Sequence, residues 1–292
     1  MATFVGFGFG AIQAGLFLYE AARTGAFDRL VVAEVMPARV AALRAAGGVF
    51  QLNIAHADGV EQTAVGPVEI YDPVQARDRS ALIDAIAEAH ELATAIPSVN
   101  FYVGEGAGSL HRILAAGIAR KLEQGGPQAA LYAAENHNHA AEMLAAAVND
   151  ALPVALRADA GKYVAFLNTV IGKMSGVHSA RVDLAPVVPG SSRAFLVESF
   201  NHILIDQIQF DTASREAAYR RGIQTFEEKE DLQPFEEAKL YGHNAVHALA
   251  AYIGAVLAIE RIADLRHRPG IMDFLRSALV EESGGALLHK YA

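Results

Sequence analysis

Apolar and polar positions alternate in two rhythms along the first half of this chain. Thr3 to Gly8 is a short β-favouring run, followed by glycines and by Ala11 to Arg23, whose helical composition stops at Gly25. Arg29 to Val35 is a nearly unbroken apolar run with an acid near its end, the pattern of a parallel strand buried on both faces. Pro37 opens a helix over 38–46, Gly47 and Gly48 stop it, and Val49 to Ala55 continues as a strand. Further along, 81–92 reads as helix, 93–96 as strand, Ser109 to Leu122 as helix and Ala129 to Ala134 as a buried strand ending at Glu135-Asn136. The alternation predicts an α/β fold, an open and mostly parallel sheet with helices on both faces.

After about Arg157 the rhythm changes. Pro186 to Gly190 break the chain, Ala194 to Val197 reads as a last short strand, and helical composition dominates from Asn201. The polar stretch Glu227 to Asp231, with Pro234, marks the start of a new helix. The expected organisation is therefore 1–200 as one domain and 201–292 as a smaller, mainly helical one, the boundary falling between 200 and 232.

Composition narrows the function classes. The 292 residues are 52% hydrophobic, enough for a buried core, and 24 Lys plus Arg against 33 Asp plus Glu give a net charge of -9. No Lys/Arg-rich run offers a phosphate-neutralising stripe, so nucleic acid is not an expected partner. The absence of cysteine excludes disulfides, thiolate metal sites and cysteine nucleophiles. Met1 to Tyr19 is almost wholly apolar but lacks a basic flank and is broken by glycines, which suits a buried strand and turn rather than a membrane span. A cytoplasmic protein without membrane contact is expected.

The N-terminal glycines offer two registers of a dinucleotide fingerprint: Gly6-x-Gly8-x-x-Ala11 and Gly8-x-Gly10-x-x-Gln13. Either brings backbone amides and a helix N-terminus up to a pyrophosphate. Glu34, ending the second strand, matches the acid that bonds adenosine ribose hydroxyls and disfavours a 2′-phosphate, so a Rossmann-like domain preferring NAD is expected. A solvated strand-end carboxylate is the plain alternative for Glu34, and Arg39 and Arg44 lie close enough in sequence to receive a 2′-phosphate instead. A second glycine loop, Gly104 to Gly108, reads as an ordinary turn.

In the helical region, Lys239, Asn244 and His247 fall on one broad helix face and bring an amine, a carboxamide and an imidazole towards one small ligand. A solvent-facing polar stripe would look the same. His243 and His247, four apart, and His137 and His139, two apart, have chelating spacings but no obvious third ligand, so no metal is expected.

Lys239-x4-Asn244-x2-His247, preceded by Pro234-Phe235-Glu236-Glu237-Ala238, resembles the signature of the mannitol dehydrogenase family, the polyol-specific long-chain dehydrogenases. Gly8-Phe9-Gly10-Ala11-Ile12, Val32-Ala33-Glu34-Val35, Ala134-Glu135-Asn136, Val197-Glu198-Ser199-Phe200 and Glu281 to Leu288 extend the resemblance over nearly the whole chain. It implies a metal-independent, NAD-dependent dehydrogenase interconverting a hexitol phosphate such as mannitol 1-phosphate, or a related polyol, and its ketose. Lys239 would be the general acid/base, Asn136 and Asn244 would hold the alkoxide, His247 would bind a neighbouring hydroxyl, and Glu236 would help relay the proton. Gly6, Gly8, Gly10, Ala11, Ile12 and Glu34 would hold the cofactor. A hexuronate reductase of the same family and a nucleotide-binding protein without turnover are the other readings. Two departures stand out: Gln13 replaces the third fingerprint glycine, and the helical region is shorter than the family's.

Overall fold

The computed structural model describes residues 2–212 and 219–291. The ends of the expected domains, Met1 and Ala292, and 213–218 within the second lie outside the described residues.

Strand β1 (Thr3–Phe7) is buried along its whole length and leads through Gly8 to Gly10 into a helix. Over Gln13–Leu18 this helix has the wide i→i+5 closure; α1 (Tyr19–Thr24) then continues it and ends at Gly25, where φ is +65°. Next come β2 (Arg29–Ala33), α2 (Pro37–Ala45), β3 (Phe50–Ala55), β4 (Val60–Val65), β5 (Glu69–Tyr71) and α3 (Ala76–Glu88). They are followed by β6 (Ala89–Thr94), α4 (Leu110–Gln124), β7 (Ala129–Ala133), α5 (Ala140–Ala151), β8 (Val164–Val170), β9 (Ser175–Ser179), β10 (Arg193–Glu198), β11 (Leu204–Asp206) and β12 (Glu227–Lys229).

The main sheet has the order β12-β11-β8-β7-β6-β1-β2-β5, parallel throughout except where β11 meets β8. From β1 the chain moves outward through β2 and β5, then returns to build β6, β7 and β8 on the other side. The strand order therefore reverses between β1 and β6, the place where open α/β sheets hold their ligands. One face of the sheet packs on α3, α4 and α5 through Leu82, Ile86, Ile113, Leu114 and Leu144. The other packs on the first helix and on a second, four-stranded sheet, β4-β3-β10-β9, through Leu16, Phe17, Phe50, Leu52, Phe195 and Val197.

The α/β class with a mostly parallel sheet is as the sequence pattern predicts, and three local expectations change. The alanine-rich stretch 81–92 favours helix by propensity, yet α3 stops at Glu88 because pairing with β1 and β7 draws Ala89 to Thr94 into the sheet. Strand β3 leaves the main sheet and pairs with β4 and β10. The described part of 201–230 is not helical: it supplies β11 and β12, and the chain divides into compact units between Glu230 and Asp231, at the far end of the 200–232 window.

The second unit is helical. It contains α6 (Gln233–Glu237), a wide-turn segment Ala238–Asn244, α7 (Ala245–Val256), a 3-10 segment Ile262–His267, α8 (Ile271–Ser277), a second wide-turn segment Ala278–Gly284 and α9 (Gly285–Tyr291). Ala250, Leu265 and Leu275 form its small core, with Val246, Leu249, Ile253 and Ile271 packed around them. Lys290 pairs with Glu237 at 2.7 Å and ties the last helix to the first.

Candidate functional site

The glycine turn lies at the carboxyl end of β1. Gly8 has φ +85°, a backbone open mainly to glycine, and donates its N–H to Ala33 O at 2.8 Å. A Cβ there would stand 2.7 Å from Ala95 O. Gly10 O accepts Ala14 N–H at 2.9 Å, so the helix starts here, and a Cβ on Gly10 would meet nothing within 4 Å. An open face at a helix N-terminus, next to a turn too tight for side chains, fits a pyrophosphate. Ala11 and Ile12 form the first turn above it. Gly6 plays a different part: it lies inside β1, where a Cβ would collide with the Gln13 carboxamide. Of the two registers, the turn fits Gly8 and Gly10.

Gln13 is fully buried between the helix and Gly6, and neither polar atom of its carboxamide has a hydrogen-bond partner among the described residues. Close approach of helix to strand, the task of a third fingerprint glycine, falls to Gly15, whose Cβ would stand 2.6 Å from Val197 Cγ1. The sequence signal for it was a lone glycine inside a helical run.

Glu34 is buried rather than solvated. Its carboxylate accepts the N–H groups of Phe9 at 3.2 Å and Met36 at 2.9 Å, and pairs with Arg39 at 3.1 Å. It thus joins the glycine turn to the start of α2. Arg44 is drawn away to Asp78 and Ile70 O. The second glycine loop packs on the chain after β5, where a Cβ on Gly108 would meet Pro73 O at 2.7 Å.

Asn136 is exposed in the turn between β7 and α5. The N-cap of α5 is His139, with no side-chain capping bond, so Asn136 is not the cap of that helix. Sequence reasoning passed over its neighbour: Glu135 is buried and accepts hydrogen bonds from Thr94 Oγ1, the Ile96 N–H and the Tyr102 hydroxyl. Burial pushes its carboxyl above the usual range, and those three donors oppose the shift. An acid directly before Asn136 at a strand end was the available signal.

In the second unit, Lys239 and Asn244 both lie on the wide-turn segment. Five residues overshoot an α-turn by about 40% but match the i→i+5 hydrogen-bond spacing of this segment, so this register brings the two closer to one face. His247 follows in α7 and packs against His243, the ring centroids 4.3 Å apart and the planes tilted by 48°. Glu236 sits in α6, nearly one turn before Lys239. Burial pulls the Lys239 amine below the ordinary lysine value, with Glu236 opposing the shift. An amine so shifted can hold or release a proton nearer neutrality. Among the described residues no group of three or more His, Asp and Glu forms a metal-binding cluster, and no helix is long and apolar enough to cross a membrane.

No family model matches the chain. It is 30% identical over 290 residues to the mannitol-1-phosphate 5-dehydrogenase of Bacillus pumilus (strain SAFR-032), covering 98% of this chain and 68% of that protein. Its fold is similar to that of Pseudomonas fluorescens mannitol 2-dehydrogenase, solved as a ternary complex with NAD and D-mannitol. The TM-score is 0.66 at 15% identity, over 97% of this chain and 68% of that one. A D-sorbitol dehydrogenase in substrate-free form gives a TM-score of 0.68 at 12% identity, over 97% of this chain and 70% of that one.

Proposed function

This chain belongs to the mannitol dehydrogenase family, and from that premise we propose that it is an NAD-dependent polyol dehydrogenase acting on a hexitol phosphate such as mannitol 1-phosphate. The observation that carries the reading is the helix bearing Lys239, Asn244 and His247, on which a wide turn aligns the first two and burial lowers the amine. Gly8, Gly10, Ala11 and Ile12 would hold the pyrophosphate, and Glu34 the adenosine ribose. When bound, the nicotinamide supplies the acceptor for a hydride in alcohol oxidation and the donor in the reverse direction.

The chain's own residues manage the proton and the developing charge. Lys239, as the free amine, takes the hydroxyl proton of the polyol; as the ammonium, it returns that proton to the ketose oxygen. Asn244 donates from its carboxamide to the oxygen as negative charge develops, and Asn136 is proposed as a second donor of the same kind. His247 binds an adjacent hydroxyl, and Glu236 passes the proton from Lys239 towards solvent. The test is NADH oxidation with fructose 6-phosphate, fructose, tagaturonate and fructuronate. Fructose 6-phosphate is expected to give the highest kcat/KM. Preference for a hexuronate would move the chain to the reductase reading, and NADH binding without turnover of any of the four would remove the enzyme reading. In the same titration NADH is expected to bind more tightly than NADPH; the opposite order would overturn the role given to Glu34.

A further inference from the structure

One buried carboxylate at the carboxyl end of the parallel sheet has no part in the chemistry above. Glu135 directly precedes Asn136 and is 6% exposed. One of its oxygens accepts Thr94 Oγ1 at 2.8 Å and the Tyr102 hydroxyl; the other accepts the Ile96 N–H at 2.9 Å. The three donors come from the end of β6 and the chain leaving it, which carries the short 3-10 turn Val99–Phe101. Backbone bonds extend the sheet past its strands at the same level. Ala95 N–H donates to Phe7 O and Ala134 N–H to Thr94 O, both at 3.0 Å.

This segment also forms one side of the glycine turn. A Cβ on Gly8 would stand 2.7 Å from Ala95 O and 3.1 Å from Ile96 Cγ2. Contacts therefore run without a gap from Gly8, through Ala95 and Ile96, to Glu135 and on to the backbone of Asn136. No lysine or arginine pairs with Glu135 among the described residues. Burying an unpaired carboxylate is costly unless its hydrogen bonds are made, and here three donors from one loop make them. A core that only needed filling would carry an apolar side chain at this place.

We propose that Glu135 is a positioning residue: its carboxylate clamps residues 94–102 against the glycine turn and thereby sets where Asn136 stands at the carboxyl end of the sheet. The proposal rests on the dehydrogenase reading, because Asn136 matters only if an oxygen there gains charge. The crevice at the strand-order reversal lies between β1 and β6, and residues 94–96 form its β6 side. Loosening them shifts both the cofactor turn and the residue after Glu135.

The test uses the full chain with E135A, E135Q, Y102F and the double variants E135A/N136A and Y102F/N136A. NADH affinity is read by fluorescence titration and turnover by NADH oxidation with an accepted ketose, below the melting temperature of each variant. E135A is expected to weaken NADH binding and to lower kcat by between about 10-fold and 10²-fold, the scale of a displaced reacting group, with a smaller change in ketose KM. E135Q is expected to recover most of that loss, because its carboxamide oxygen still accepts the Ile96 N–H and both hydroxyls can turn to accept from its amide. In the N136A background, E135A should cost little more, since both changes act through one residue. Wild-type kcat and NADH affinity in E135A, or losses that multiply in the double variant, would overturn the proposal. Should E135A not fold, Y102F decides: a fall in kcat that vanishes in Y102F/N136A supports the clamp, and an unchanged kcat overturns it. If the wild type turns over no ketose, the dehydrogenase reading has failed by itself, and unchanged NADH affinity in E135A would then refute the clamp separately.

Discussion

At Gln13 a side chain works against the fold that surrounds it. Its carboxamide is buried against Gly6 with neither polar atom paired among the described residues, and each buried unsatisfied group costs about 1–3 kcal/mol. Methionine has nearly the same length and no group to satisfy. Q13M is therefore expected to raise stability by about 1 kcal/mol, read from the urea midpoint at unchanged slope; a lower midpoint would show that the carboxamide is bonded after all. Lys239 makes the opposite case, a residue whose burial serves the chemistry proposed for it. K239A is expected to lower kcat by about 10²-fold, the scale of a lost acid/base, while NADH affinity is kept. Near-normal turnover would make the lysine structural. Alcohol oxidation needs the free amine, so kcat for oxidation should rise with pH through a pKa below the ordinary lysine value. Ketose reduction needs the ammonium and should fall through the same pKa.

Among the elements, the first helix depends on Gly15 for its distance from β10. G15A places a methyl group 2.6 Å from Val197 Cγ1, and overpacking of this kind costs about 1–3 kcal/mol. V197A is expected to return part of that loss, so that the double variant is more stable than the sum of the single changes, by chemical denaturation. Full additivity would mean that the clash is relieved elsewhere. The same helix shows what sequence pattern can and cannot reveal. Strands β1, β2 and β7 were legible because they are buried runs closed by glycine, acid or asparagine, and α2 because Pro37 opens it and Gly47 follows. Strands β5, β11 and β12 are three residues each, too short to show a period, and most of β4 faces solvent. The wide turns at Gln13–Leu18 and Ala238–Asn244 have no compositional mark. Hence the candidate residues Lys239 and Asn244 could be named and placed on one broad face from their spacing, but the wide turn that joins them could not. The inward turn of Glu34 onto the Phe9 N–H and the bonds made by Glu135 depend on partners distant in sequence.

Across the whole chain, pH should act on stability through buried groups of opposite sign in the first unit, with Glu91 and Lys121 foremost, Glu135 acting in the sense of the first and Lys173 in that of the second. Burial raises the Glu91 carboxyl to about 7 and lowers the Lys121 ammonium to about 7. Glu91, with its folded pKa raised, contributes stability that is full below the unfolded carboxylate value and is lost as pH rises towards 7. Lys121, with its folded pKa depressed, binds its proton more weakly when folded, so stability recovers as pH rises from 7 towards the unfolded lysine value. A minimum near pH 7 is expected in urea midpoints taken from pH 5 to 10. E91Q should flatten the acidic side and K121M the alkaline side; a curve with its maximum at pH 7 would contradict both assignments. The small sheet has a consequence for the order of assembly. Its halves are the hairpins β3-β4 and β9-β10, joined where Asn53 aligns with Leu196 and the Asn53 carboxamide donates to Ala185 O and Phe195 O. On a ribosome the first hairpin emerges long before the second is made, and until residue 196 has left the exit tunnel β3 offers an unpaired edge. Nascent chains stalled between these hairpins therefore carry a β3 edge that only later residues can cover.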